Sequence, residues 1–93
     1  MKITLLIDGK EKTFIAPFVS TRRLKETLAL SKLMERGVNS DSIDTLGEYM
    51  VDVYGKQFTI DELLDGFPAS EFIDKVVEDM EKVIGSFEKK LKN

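Results

Sequence analysis

Near the start of the chain, Ile3, Leu5 and Ile7 alternate with Lys2, Thr4 and Leu6, which is the two-residue period of a β-strand. The turn pair Asp8-Gly9 tolerates positive φ, and a return strand is predicted over residues 12–16, so the segment reads as a β-hairpin. A loop of two or four residues places Phe14 on the inner face, whereas a loop of three residues places Ile15 there. Leu6 and Ile15 make the outer face apolar too, which is compatible with cover on both faces. The inner face of the first strand is formed by Ile3, Leu5 and Ile7.

From residue 21 onward apolar residues return every three or four positions, which predicts helices. We expect helices over about residues 21–36 and 41–54, ended by Gly37 and Gly55, and a short third helix that ends at Gly66. Thr59 and Glu62 have the spacing of a capping box at the start of the third helix. The stripe of the first helix is predicted to follow Leu24, Leu28 and either Ser31 or Lys32, widened by Leu30, Leu33 and Met34.

A long amphipathic segment runs from Pro68 to about Leu91 and predicts the last helix. At 1.5 Å per residue such a helix is about 36 Å long, whereas a compact domain of this size is roughly 25–30 Å across. We therefore expect its distal part, from Val83 onward, to overhang the core and to contact a partner. The residues predicted to form the partner-binding face are Phe72, Val76, Met80, Val83, Ile84, Phe87 and Leu91.

The fold class that these elements predict is α+β, mostly α, in one domain over residues 1–93. The hairpin occupies residues 1–17, three or four helices follow, with a helical core over 20–67, and the long C-terminal helix covers 68–93. The 93 residues include no His and no Cys. Because these two residue types supply the commonest general base, the thiol nucleophile and most zinc ligands, we expect neither an enzyme nor a metal or cofactor site. No segment is long and apolar enough to suggest a membrane span.

The formal net charge of −3 argues against a global basic field for nucleic acid. A local basic group comprises Arg22, Arg23, Lys25 and Lys32. A solvated face at a helix start is the preferred explanation of the Arg22/Arg23/Lys25 patch, and a small nucleic-acid-binding regulator is the alternative function that the patch would support. Acidic groups at 41–44 and 61–65 lack the spacing of a calcium loop, and helix capping accounts for them.

Two segments of the chain resemble a known family. The first segment looks like the opening of tail assembly chaperones from long-tailed, siphovirus-type phages and prophages of Gram-positive bacteria. It comprises residues 3–14, with the strand over residues 3–7, the Asp8-Gly9 turn and Phe14, followed by residues 17–20 and 22–25. Residues 51–66 are similar to the same family in their helix, aromatic-Gly turn and short helix that ends in Asp65-Gly66. The resemblance covers nearly the whole chain and includes no catalytic motif.

The resemblance implies a role in the cytoplasm of the bacterial host. Such chaperones bind the long, helical tape-measure protein, keep it soluble until the tail-tube protein polymerises around it, and are absent from the finished virion. The expected partners are the tape-measure protein, with the tail-tube protein as a second candidate, and the apolar helix faces are also compatible with self-association. Many members exist in a short form and a longer, frameshifted form. Lys89-Lys90 would suit such a slippery site.

Overall fold

The computed structural model describes the backbone of residues 1–92 and the side chains of residues 1–85. Within that part the chain is an antiparallel hairpin followed by helices, which confirms the predicted α+β, mostly helical fold with the long helix last. The extents along its principal axes are 46 × 29 × 20 Å. The elements in chain order are β1 (Lys2–Ile7), β2 (Lys10–Ile15), α1 (Thr21–Met34), α2 (Ser40–Val53), α3 (Ile60–Gly66), a 3-10 turn (Ala69–Glu71) and α4 (Phe72–Lys92).

The hairpin has the two-residue loop that the sequence allowed. Asp8 and Gly9 both have positive φ, 53° and 76°, which matches the right-handed twist of the strands. Ile3 pairs with Phe14 across the ladder, so Phe14 lies on the inner face. The return strand begins at Lys10, two residues before the predicted start, because so short a loop brings Lys10 directly opposite β1.

The outer face of the hairpin is open in the described structure. Leu6 is 56% exposed and Ile15 is 70% exposed, so cover on both faces is not observed. These two side chains lie at opposite ends of the face, separated by the cross-strand pair of Thr4 and Thr13. The two threonine hydroxyls are hydrogen-bonded at 2.8 Å. This polar pair interrupts the apolar surface, so the outer face lacks the continuous patch that would require burial.

Helix α1 ends at Met34, two residues earlier than predicted, and it is rotated relative to the predicted stripe. Leu28 is 41% exposed, and the fully buried position is Thr27 instead. The Thr27 hydroxyl donates to the carbonyl of Arg23 at 2.6 Å and is hydrogen-bonded to the hydroxyl of Tyr49 on α2. A hydroxyl with these partners is buried at little cost, so hydrogen bonding rather than the count of leucines sets the orientation of α1.

Helix α2 supplies much of the core and follows its predicted pattern closely. Its start is one residue earlier than predicted, because Asn39 caps it by accepting from the backbone N–H of Ser42 at 3.0 Å. Leu46, Met50 and Val53 are buried as the spacing predicted. The buried hydrophobic residues of the domain are Ile3, Leu5, Leu46, Tyr49, Met50, Val53, Tyr54, Phe58, Leu63, Phe72, Val76 and Met80.

The short helix α3 lies against the backbone of β1. Its capping box is present as predicted, with Thr59 and Glu62 each accepting from the other's backbone N–H. Gly66 has a role beyond ending the helix. A Cβ at this position would lie 2.7 Å from the carbonyl oxygen of Leu6, closer than any side chain tolerates. Only glycine therefore permits this approach of α3 to the strand.

Helix α4 starts at Phe72 rather than at Pro68. Residues 69–71 form a tighter 3-10 turn that begins after Pro68, whose fixed φ and missing N–H suit it to a helix start. Phe72, Val76 and Met80 are buried in the core, and the helix that α4 contacts most extensively is α1. The helix then continues to Lys92.

Two glycines provide a matched test of this packing. Gly66→Ala should lower the free energy of unfolding by about 1–3 kcal/mol, the usual cost of overpacking, because the methyl group meets the backbone of Leu6. Gly85→Ala in α4 meets no atom within 4 Å and should raise stability by about 0.5–1 kcal/mol through helix propensity. Urea denaturation of both variants measures the difference. A Gly66→Ala variant as stable as the parent chain would contradict the close approach.

Candidate functional site

The partner-binding face predicted on α4 divides into a buried and an open part. Phe72, Val76 and Met80 fill the core and are not accessible to a partner in this conformation. The physical reason is that the first half of α4 supplies apolar side chains to the core that the hairpin and α2 also line. Val83 and Ile84 are half-buried. The remaining two predicted residues, Phe87 and Leu91, lie outside the part whose side chains the structure describes.

The half-buried Val83 lies at the edge of the domain, where α4 passes the start of α1. It lines a cleft of about 350 Å³ together with Met1, Val19 and Leu24. Burial along α4 therefore decreases from the fully buried Val76 to the partly exposed Val83. In the sequence, apolar residues continue beyond Val83 at the spacing of three and four.

A buried carboxylate fixes the position of α4. Asp79 is fully buried, and its Oδ2 accepts a hydrogen bond of 2.8 Å from the hydroxyl of Tyr54 at the end of α2. Its Oδ1 accepts from Nζ of Lys75, one turn earlier on α4, at 3.0 Å. A buried charge of this kind is stable only with such partners, because desolvation is otherwise prohibitive. The network sets both the rotation of α4 and its distance from α2.

The sequence-based analysis did not identify Asp79. On a helix with 100° per residue, Asp79 lies at one edge of the apolar stripe, about 20° beyond the direction of Phe72. A carboxylate at that edge, with a lysine four residues earlier, was the available signal. Its partner on α2 was not predictable, since it depends on how the two helices pack.

Burial also raises the pKa values of the two tyrosine hydroxyls, those of Tyr49 and Tyr54. Burial raises the pKa of the Tyr54 hydroxyl far above its ordinary value of 10.0, and the hydrogen bond to the Asp79 carboxylate and the charge of that carboxylate raise it further. Burial raises the pKa of Tyr49 as well, partly offset by its hydrogen bond to Thr27. Both hydroxyls are therefore neutral in the folded protein and serve as hydrogen-bonding groups.

The basic group near the start of α1 does not form one uniform patch. Arg23 is directed toward acidic side chains, and its Nη1 lies 2.9 Å from Glu26 and 3.4 Å from Asp52 of α2. Arg22 and Lys25 are exposed. The pairing of Arg23 weakens the case for the Arg22/Arg23/Lys25 patch as a phosphate-binding site, because one of its three cations already has carboxylate partners.

Two further kinds of site would be a membrane-spanning helix and a metal centre. Among the helices of the described residues, none has the length and apolarity that a membrane crossing requires. Over the same residues, no three potential ligands of the His, Cys, Asp and Glu types converge on a point that would hold a metal ion.

These observations define a small α+β domain whose candidate site is a helix surface. The family model described as phage tail chaperone protein matches the chain over residues 1–93, so the chain belongs to that family. No curated protein sequence and no solved structure matches it. The match confirms the resemblance to tail assembly chaperones. Membership implies binding to tail proteins and indicates a role in assembly rather than in catalysis.

The hydrogen bond between Tyr54 and Asp79 can be tested by removing one hydroxyl. Tyr54→Phe should lower the free energy of unfolding by about 1.5–3 kcal/mol, because the buried carboxylate loses a charge-assisted bond. Chemical denaturation measures the change. Glu78→Gln on the exposed side of α4 is the control, and it should change stability by less than about 0.5 kcal/mol. A Tyr54→Phe variant within that same margin would contradict a structural role for the bond.

The raised tyrosine pKa values predict loss of stability in alkali. In the unfolded chain both tyrosines ionise near 10.0, whereas in the folded chain their pKa values are higher. The unfolded state therefore binds fewer protons above that pH, so stability is fully present below about pH 10 and decreases as the pH rises further. Tyrosinate absorbance should rise together with the loss of helical circular dichroism. Ionisation of either tyrosine at its ordinary pKa in the intact fold would contradict the burial.

Proposed function

We propose that this chain binds the tape-measure protein of its phage and keeps that protein soluble while the tail tube polymerises around it. On this proposal the chaperone acts in the cytoplasm of the bacterial host and is absent from the finished virion. Membership of the phage tail chaperone family supports the general role. The observation that supports the more specific proposal is that α4 continues past Met80, its last buried residue among those described, while the sequence keeps its apolar spacing.

The structure of α4 supports two different roles along its length. Phe72, Val76 and Met80, together with the Asp79 network, anchor its first half. Beyond Met80 the helix runs twelve further residues to Lys92, which is about 18 Å at 1.5 Å per residue. The proposed contact residues are therefore Val83, Ile84, Phe87 and Leu91, and the three core residues act as their support.

A helical client suits such a surface. A tape-measure protein is long and largely helical, and helices recognise one another through apolar residues at spacings of three and four. Val83 and Phe87 continue the spacing of Val76 and Met80 along the same face of α4. The client helix would extend the packing that the core begins. The tail-tube protein is a second candidate partner for the same surface.

Co-expression with the tape-measure protein of the same phage tests the proposal. The chaperone should raise the soluble fraction of that protein and co-purify with it. The double substitution Val83→Asp/Phe87→Asp should abolish co-purification, because charges then replace apolar contacts at the client interface. Val77→Asp is the matched control, since Val77 is an exposed apolar residue of the same helix, and it should retain binding.

The stability of the same variants separates client binding from folding. Val83→Asp/Phe87→Asp should lose far less than the 3–5 kcal/mol that truncation of a core aromatic residue typically costs. A loss of that size would place these residues in the core and contradict the proposed contact. Mass spectrometry of purified virions checks the last part of the proposal, since detection of the chain in stoichiometric amounts would identify a structural component instead.

A further inference from the structure

We infer that the outward face of α1 is a second docking surface and that it binds an acidic amphipathic helix of the client protein. This inference rests on the proposed function. It adds a charged contact to the client, whereas α4 is proposed to contact the client through apolar residues. Throughout, the outward face of α1 means the residues Arg22, Lys25, Ala29, Lys32 and Arg36.

The geometry of α1 places these residues together. Thr27 is the centre of the buried face, and Arg23 and Met34 lie close to it in direction. At 100° per residue, the outward face occupies the opposite side of the helix, and all five of its residues are exposed. The face continues from the helix into the turn at Arg36, over a length of about 21 Å. Four cations thus project from one surface around a small central alanine.

Apolar side chains border this face on both sides. Leu28 is 41% exposed on one side, and Leu33 is exposed on the other. Cations alone would suit any polyanion. A strip of cations between two leucines instead matches a helix that presents carboxylates along its middle and apolar residues at its margins, as in helix-in-groove recognition. The rotation of α1 about Thr27 explains why these leucines face solvent.

The distribution of charge favours an acidic protein segment over nucleic acid. Residues 21–36 include five basic and two acidic residues, whereas residues 37–81 include twelve acidic and two basic residues. Residues 1–20 and 82–93 include seven basic and three acidic residues, so the strong negative charge is confined to residues 37–81. A long phosphate backbone would extend beyond the face and be repelled by the acidic surface of that segment. A short acidic helix of about 21 Å or more can contact the face alone.

Helix stability accounts for Lys32 in the last turn of α1, where the helix dipole favours a cation, but not for the cations near its start. The first turn of α1 has no acidic residue, and its N-cap Ser20 makes no side-chain hydrogen bond. By contrast, α2 and α3 both have acidic residues in the first turn and side-chain N-caps. Arg22 and Lys25 lie near the positive end of the helix dipole, where cations are unfavourable. Their presence is explained by binding to an anion that approaches from outside.

The double substitution Arg22→Glu/Lys25→Glu tests the inference, because its effects on folding and on binding have opposite signs. Glutamates near the helix N-terminus should leave the melting temperature unchanged or raise it. The probe is a synthetic helical peptide with glutamates along a central strip and leucines at its margins. Its affinity should fall by at least about tenfold, since two attractive charge pairs become repulsive. Its affinity for the parent protein should also fall as salt is added.

Three controls define the outcome. Lys10→Glu/Lys12→Glu changes the net charge equally at two exposed lysines of the hairpin, and it should leave peptide binding unchanged. The same peptide with lysines in place of glutamates should not bind. Equal loss of binding in both double variants would overturn the inference, because it would indicate a non-specific charge effect. Binding of a single-stranded oligonucleotide, in place of the acidic peptide, would overturn it in favour of nucleic acid.

Co-expression with the tape-measure protein separates this inference from the proposed function. If the parent chain keeps the client soluble and Arg22→Glu/Lys25→Glu does so to a lesser extent, the α1 face takes part in client binding. If both do so equally, the α1 inference fails and the proposed function stands. If the parent chain has no effect on the client, the proposed function itself fails. Sedimentation of the chaperone alone completes the test, since self-association that this variant abolishes would assign the face to a second copy of the chain.

Discussion

The enclosed carboxylate of Asp79 constrains the rest of this domain. Its two oxygens are satisfied by Tyr54 at the end of α2 and by Lys75 from α4 itself, so a buried hydrogen bond joins α4 to the end of α2. That packing brings Val76 and Met80 into the core. The hairpin also contributes Ile3 and Leu5 to that core, and an isolated two-stranded hairpin is at best marginally stable in water.

The same constraint connects stability to function. Because the first half of α4 is packed in the core, the residues that we propose as the client surface follow directly on a buried segment of the same helix. The proposed client surface thereby continues the apolar spacing of the core residues along the chain. The outward face of α1 differs in kind, since its cations confer charge selectivity while Val83 and its neighbours offer apolar contact. Two surfaces of different chemistry would let a small chaperone distinguish its client from other helices.

Local sequence rules account for much of the fold. Asp8-Gly9, the capping box of Thr59 and Glu62, and the spacing of Leu46, Met50 and Val53 are each short-range signals, and the structure confirms all of them. These features depend on turn geometry, backbone capping and helical period, which neighbouring residues determine. Residues beyond the local segment are not needed to recognise them.

The remaining features depend on contacts between distant segments. The rotation of α1 follows from the hydrogen bond of Thr27 to Tyr49, twenty-two positions away, and not from its own leucines. The need for glycine at position 66 follows from the backbone of Leu6. The sequence predicted one apolar stripe along α4, but it could not show which residues of that stripe the core buries. The sequence by itself determined the elements, their order and the family. Only the tertiary structure decided which polar groups are buried and which apolar residues remain open, because burial is a property of packed neighbours and not of the chain alone.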